Sequence, residues 1–435
     1  MSERRPRGYA LRALRVPAYR RVWTAVVFAS MGIWMQITGR AFLVYDLTGS
    51  ASALGTIYLA SYGPQIFVAP YAGAIADRYD RRRVLLLGTW VLVGTNVITG
   101  LLAATGTATL LALCAVSLVT GAVQTVTQTA SLALLPTLVD KQDLSSAVSL
   151  QALTSSATRI IGPLIAGALI PVVGVQWLFY LNALAQLPVV VAWLRTHVPP
   201  VERAVGGTLR AVVDGLAFTR RTPAIAVPLS LFAVLSAIGL VYQPLGVAYT
   251  TAVLADGDRT LGGTYFGLLQ AAIGVGSLVG ILVLTGLSER RPAAVLFGTA
   301  VAFSLALAGL GLTTMLPMAL ALGVVLGGSQ FANSNLTLAL AQHHTSDAMR
   351  GRVMSLSLVA FVGIFPFTSY LLGGVASAVG TPATFVGCGA VCLVASLGAT
   401  RWRRAIWIPD PAADGSAELH EAAETRRDEP AQIPL

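Results

Sequence analysis

Apolar residues in this chain come in long unbroken runs rather than in short or alternating patterns. No Asp, Glu, Lys or Arg occurs within 47–76, 84–139, 160–194, 222–255, 260–288, 292–346 or 353–400. A helix needs about 20 such residues to cross a bilayer, so each run holds one crossing and several hold two. Breaking the runs at Gly, Pro and polar clusters predicts helices over 22–45, 51–75, 84–103, 108–135, 146–171, 175–194, 224–249, 263–287, 293–313, 316–341, 353–378 and 381–400. A membrane-spanning barrel would need short segments of alternating polarity, which are not seen. The expected fold class is an all-α integral membrane protein with twelve transmembrane helices.

The polar segments divide these spans. Residues 1–21 read as a cytoplasmic, interfacial segment, with Leu11, Leu14, Val16, Tyr19 and Trp23 among Arg12, Arg15, Arg20 and Arg21, suited to lie on an anionic leaflet. Arg4 and Arg5 precede an apolar stretch that lacks a short export core and an A-x-A site, so it is expected to be retained as the first span. Six spans over 22–194 form one bundle, 195–222 is a polar, Arg-bearing central loop, six more over 223–401 form a second bundle, and 402–435 reads as a disordered cytoplasmic tail.

The two bundles echo one another at a constant spacing. Gly121 matches Gly327, Gln124 matches Gln330, Leu132-Ala133-Leu134 matches Leu338-Ala339-Leu340, and Gly167 matches Gly373. Two parallel six-helix repeats follow from this pattern.

Composition agrees and narrows the function. With 55% hydrophobic and 11% charged residues and a mean hydropathy of +0.73, the chain has more apolar surface than a soluble core can use. The net charge of +10 could suggest nucleic acid until the basic residues are placed. With the N-terminus taken as cytoplasmic, all of the 29 basic residues except Arg40, Arg159 and Arg259 fall in the tails and loops on that one side. This is the positive-inside asymmetry expected of a multi-pass membrane protein with both termini cytoplasmic, and it disposes of nucleic acid as a partner. Cys114, Cys388 and Cys392 lie inside apolar runs without nearby His and read as packing residues, so no metal site and no cofactor are expected.

The turn after the second span reads Gly73-Ala-Ile-Ala-Asp77-Arg78-Tyr-Asp80-Arg81-Arg82-Arg83. It resembles the signature loop of the major facilitator superfamily, except that Asp80 stands where that pattern more often has glycine. Leu43-Val-Tyr-Asp46-Leu-Thr48-Gly49-Ser50, Arg159-Ile-Ile-Gly162-Pro163 with Gly167, and Arg350-Gly351-Arg352-Val-Met-Ser355 are similar to segments of a bacterial exporter branch of that superfamily. The likeness covers about residues 10–400. It implies a secondary transporter, with Gly73, Asp77, Arg78, Arg81, Arg350 and Arg352 forming a cytoplasmic gate. Asp77 would then sit against the start of the eleventh helix, where unpaired N–H groups favour an anion.

The intramembrane polar residues supply a candidate substrate path: Gln36 and Arg40 on the first span, Gln124 and Gln128 on the fourth, Arg159 on the fifth, and Gln330, Asn333 and Ser334 on the tenth. Arg159 falls near mid-bilayer, where an unpaired guanidinium is costly, so it must face the interior. It either meets an anionic or electron-rich substrate group or is satisfied by backbone carbonyls as a packing residue. Arg40 either lines the same cavity or, as the favoured reading, snorkels outward toward Asp46. The glutamines and asparagines serve either as a path or as glue between helices. Gly162, Pro163 and Gly167 permit a bend and close packing and are similar to part of an antiporter motif, which favours export over import. Asp46 and Asp77 are the acidic residues available for proton coupling.

The function expected is therefore alternating-access export of a small organic molecule, such as a drug, siderophore or other natural product, with protons as counter-ion and the bilayer as environment. The sequence sets no oligomeric state; a monomer suffices. A membrane enzyme has only His343, His344 and Asp347 to draw on, which is no catalytic set, and a non-transporting sensor is the remaining alternative. No G-x-x-x-x-G-K-[ST] loop is present for ATP-driven pumping.

Overall fold

The computed structural model describes residues 9–134, 138–140, 142–196, 217, 219–220, 222–345, 349 and 363–406. Within them the chain is helical, and its membrane helices are α1 Pro17–Thr48, α2 Ala51–Arg78, α3 Arg81–Ala104, α4 Leu110–Leu134, α5 Leu144–Val173 and α6 Gln176–Leu194. The second half contributes α7 Pro223–Leu254, α8 Arg259–Arg290, α9 Pro292–Leu312, α10 Leu316–His343, α11 Phe365–Val379 and α12 Thr381–Ala399. The twelve expected helices are thus present. Ten are long and apolar enough to cross a membrane by those two properties alone. Of the other two, α11 is described over a short stretch, and α2 is long enough but made more polar by Tyr58, Ser61, Tyr62 and Gln65.

Local chemistry fixes several ends. Proline opens α1, α9 and α10, where its missing N–H would have no partner anyway. Gly49 ends α1 in the left-handed conformation at φ 59°, returning its N–H to the Tyr45 carbonyl. Asp80 is the N-cap of α3, its carboxylate accepting from the N–H groups of Arg82 at 2.9 Å and Arg83 at 3.4 Å. The residue that departs from the superfamily pattern therefore has a structural role of its own. The seventh span is not one continuous helix: Pro223–Ala237 gives way to a tight turn at Gly239–Val241, a short helix Tyr242–Tyr249 and a wide turn Thr250–Leu254. Pro244 lacks an N–H and its ring crowds the preceding turn, which fits a break here.

The pairing of helices repeats between the halves. α2 packs on α4, α3 on α4 and α6, and α1 on α5 and α6; correspondingly α8 packs on α10, α9 on α10 and α12, and α7 on α11 and α12. The halves meet mainly through α5 with α8 and α2 with α11, themselves equivalent pairs. Glycines permit these approaches. A Cβ on Gly121 would collide with the Ser61 carbonyl of α2, and one on Gly327 with the Ile273 carbonyl of α8. Between the halves, a Cβ on Gly267 would lie 2.6 Å from the Pro163 carbonyl and 2.7 Å from Gly167 Cα, and one on Gly373 would lie 2.8 Å from the Ala51 carbonyl and 3.1 Å from Gly55 Cα. The glycine pairs that recur in the sequence therefore sit at equivalent helix crossings.

The larger buried apolar cluster joins the halves through α1, α2, α5, α7, α8 and α11. A second lies at the arginine-rich end of the first half, around Tyr19, Leu134 and Trp193. Exposed apolar side chains such as Leu111, Leu312 and Val394 cover the outside, as a helix bundle in lipid requires.

Candidate substrate chamber and gates

Arg40 and Arg159 come together with aromatic side chains between the halves. Arg40 Nη1 donates to Ser61 Oγ at 2.8 Å on α2 and to Ser117 Oγ at 3.1 Å on α4. It does not snorkel toward Asp46, because these two hydroxyls hold it inside, and the favoured sequence reading is corrected on that point. The Arg159 guanidinium lies over the Trp34 ring at 4.8 Å, a cation–π contact. Arg40 is in electrostatic reach of Tyr58 and Tyr62, and Arg159 of Tyr62 and Tyr242. Tyr62 is thus the residue within electrostatic reach of both cations. No ion pair among the described residues involves Arg40 or Arg159.

Aromatic and amide groups complete the lining. Tyr58 and Tyr62 stack at 5.6 Å, and Phe365 of α11 meets both edge-on at 6.1 and 6.0 Å. Tyr242 donates to Gln330 Oε1 at 2.6 Å. Sequence reasoning overlooked Trp34, Tyr58, Tyr62, Tyr242 and Phe365, since aromatic residues in an apolar run are as compatible with lipid or core. The i, i+4 spacing of Tyr58 and Tyr62 on the most polar helix was the available signal.

Several other expected path residues bond within one half. Gln36 is buried within the first half, accepting from Asn182 Nδ2 at 2.8 Å, and Asn182 also donates to Asn96 Oδ1 at 3.0 Å. This network glues α1, α3 and α6, so Gln36 faces away from the chamber. Asn333 donates to the Leu296 carbonyl at 2.9 Å and to Thr299 Oγ1 at 3.3 Å, tying α10 to α9 inside the second half. Ser334 bonds to the Phe331 carbonyl of its own helix. Gln124 is half-buried and Gln128 exposed on α4. Gly162 packs against Trp34 and Met31 of α1, which holds the Trp34 ring beneath Arg159, and Pro163 is accommodated inside α5.

The bonds seen between the halves gather at the end away from the arginine-rich turn. Ser52 N donates to Ser377 Oγ at 2.9 Å, Tyr58 to the Gln243 carbonyl at 3.1 Å and Thr264 to the Gly167 carbonyl at 3.1 Å. The break in α7 lies where that Gln243 carbonyl meets α2. At the rim, Arg259 Nη1 pairs with Asp46 Oδ1 at 3.4 Å and also bonds the Asp46 carbonyl near the end of α1.

At the other end, Arg82 Nε donates to the Trp193 carbonyl at 2.7 Å, tying α3 to the end of α6, and Arg81 opens α3. Gly73, Asp77 and Arg78 fall in the last turns of α2, but their side chains lie outside the described residues, as do Arg350 and Arg352 altogether. The N-terminal segment is not merely spread on a surface. Its turn Tyr9–Arg15 docks on the start of α5, with Arg12 Nε 3.0 Å from Asp143 Oδ1, Ala13 N donating to Ser146 Oγ at 3.0 Å and Tyr19 to the Ala147 carbonyl at 3.0 Å.

Comparison with known proteins follows the same lines. Residues 9–422 match the family described as transmembrane secretion effector. The enterobactin exporter EntS of Escherichia coli O1:K1 is 26% identical over 363 residues, 82% of this chain and 85% of that protein, and its Shigella boydii serotype 18 counterpart matches equally. Among solved structures, the fold superimposes on the nucleoside transporter NupG with a TM-score of 0.70 at 14% identity, covering 88% of this chain and 98% of that one. It also superimposes on a bacterial homologue of the human lysosomal transporter Spinster, in an inward-facing and unoccupied conformation, with a TM-score of 0.69 at 14% identity over 91% and 99% of the chains. A bacterial homologue of the iron transporter ferroportin in an inward-facing state gives 0.66 at 16% identity over 89% and 98%. The helices, their twofold repeat and the match along nearly the whole chain lead to one assignment: this multi-pass membrane protein belongs to the transmembrane secretion effector family and has the major facilitator fold.

Proposed function

We propose that the protein exports a small organic molecule across the bacterial cytoplasmic membrane by alternating access, exchanging it for protons. The observation that carries this reading is the asymmetry of the bundle interface: the halves are sealed by glycine crossings and side-chain bonds at one end, while Trp34, Arg40, Tyr62 and Arg159 stay only half-buried beyond the seal. If the arginine-rich turns face the cytoplasm, the seal is the outer one and the chamber loads from inside. Two of the solved transporters that share this fold are in inward-facing states, in keeping with that conformation. Export is further supported by the family description and by the exporter relatives.

In this reading Asp77, Arg78, Arg81, Arg350 and Arg352, with Gly73, close the inner mouth in the opposite state. Arg40, Arg159 and Gln330 contact the cargo, and Gln124 and Gln128 border its route. Proton coupling rests on Asp46 and Asp77. Asp46 pairs with Arg259 at the sealed rim, so in this reading an acidic residue stands at the mouth that opens outward.

The test is transport in inside-out membrane vesicles carrying the protein, after an accumulation and resistance screen across antibiotics, siderophores and hydrophobic cations selects a cargo. Uptake that rises with an inward-acid gradient and falls when the gradient is collapsed is expected. Uptake indifferent to the gradient would remove proton antiport, and absence of vectorial flux for every compound would remove the exporter reading.

A further inference from the structure

We infer that the chamber is an anion site with aromatic walls, and that its cargo is a flat organic anion: an aromatic ring carrying a carboxylate. This rests on the exporter reading above and names the class of cargo that the site accepts. The argument begins with the inventory of donors and acceptors. Arg159 forms no hydrogen bond to a described residue, so its guanidinium retains all of its N–H groups. Arg40 uses only Nη1, on two serines. The Tyr62 hydroxyl has no described hydrogen-bond partner although it is within electrostatic reach of both cations, and the Gln330 carbonyl is already taken by Tyr242, leaving its amide N–H groups.

Donors and positive charge therefore converge on one space, and no described carboxylate answers them. A guanidinium held in the membrane interior is costly to desolvate, and two are held here, so an entering anion offsets that penalty. A planar oxyanion also matches the fork of a guanidinium better than any neutral group. A cationic cargo would meet the reverse. Arg159 already occupies the face of Trp34, the ring best suited to a cation.

The walls set the rest of the ligand. Tyr58, Tyr62 and Phe365 pack on one another with centroids about 6 Å apart and so form one continuous aromatic wall, of which Tyr62 is the half-buried, accessible member. A ring laid against that wall at Tyr62 places its carboxylate toward Arg159 and Arg40.

The experiment uses the full-length protein in detergent and three probes of one shape: naphthoate, its neutral amide naphthamide, and naphthylmethylammonium. Calorimetric titration is expected to show naphthoate binding, with the ammonium probe not binding. Arg159→Gln and Arg40→Gln should each weaken naphthoate by about tenfold or more, the loss typical of one charge-assisted hydrogen-bond partner. Affinity for naphthamide should stay unchanged in both. Arg159→Lys keeps the charge but loses the planar fork, so its affinity should fall between those of the parent and Arg159→Gln, and Arg403→Gln, on an exposed arginine outside the chamber, should change nothing. Size-exclusion profiles identify any variant that fails to fold, in which case the remaining substitution decides.

Equal or tighter binding of the ammonium probe, no binding of naphthoate, or naphthoate affinity untouched by the substitutions would overturn the inference. Distances between the halves, measured separately on the same protein, keep the two claims apart. If the two ends still open and close in turn while naphthoate fails to bind, the cargo class falls and the exporter reading stands. If naphthoate binds as expected but the ends never exchange, the anion site stands and the exporter reading falls.

Discussion

Two kinds of polar residue lie inside this membrane protein, and their partners separate them. Gln36, Asn96 and Asn182 bond to one another within one half, whereas Arg159 and Tyr62 lack described hydrogen-bond partners between the halves. The first arrangement holds helices together and the second awaits a ligand. Asn182→Ala would strand the Gln36 carbonyl and remove both bonds, a loss of about 1–3 kcal/mol for a buried unsatisfied group. Thermal unfolding should therefore shift to lower temperature while probe affinity at the chamber stays as in the parent protein. A loss of affinity without a loss of stability would place Gln36 and Asn182 in the binding site after all.

At the level of helices, the glycines divide by what they touch. Gly121 and Gly327 pack within a half, so adding a methyl group there should lower stability in every conformation. Gly55 and Gly373 touch only across the seal, with a Cβ on Gly55 placed 2.5 Å from the Ser369 carbonyl and 2.9 Å from Tyr370 Cα. Gly55→Ala or Gly373→Ala should disfavour the sealed state by about 1–3 kcal/mol, the usual cost of overpacking. A methyl group at neighbouring Gly374 meets nothing within 4 Å and serves as the control. Spin labels at Gly106 and Met315, on turns at the sealed end, should move apart in the first two variants and not in the third. Unchanged distances in all three would show that the crossing does not govern the seal. The rim pair Asp46 and Arg259 is a weaker contributor, since exposed ion pairs are worth little.

For the molecule as a whole, the sequence made the membrane fold and its internal duplication legible, because long apolar runs and charged turns report directly on where the chain can sit. Gly121 with Gly327 and Gly167 with Gly373 were readable as repeats because a site of backbone contact tolerates no larger residue. The direction of each polar side chain was not readable. Helical spacing puts Gln36 and Arg40 one turn apart, yet Gln36 bonds to α6 whereas Arg40 bonds to α2 and α4, a difference set by which helices pack around α1. The sequence left Asn333 open between path and glue for the same reason, and in the structure it ties α10 to α9; the aromatic lining was hidden because rings suit lipid, core and cargo alike.

The central claim is that the two halves rock about one chamber. It is tested most directly by measuring distances at both ends of the same protein in lipid nanodiscs, with one label pair at Gly106 and Met315 and another at Arg83 and Arg291, across conditions that add cargo or acidify the medium. The account expects the two distances to change in opposite senses, the first lengthening as the second shortens. Distances that move together, or that stay fixed at both ends while cargo crosses the membrane, would contradict it.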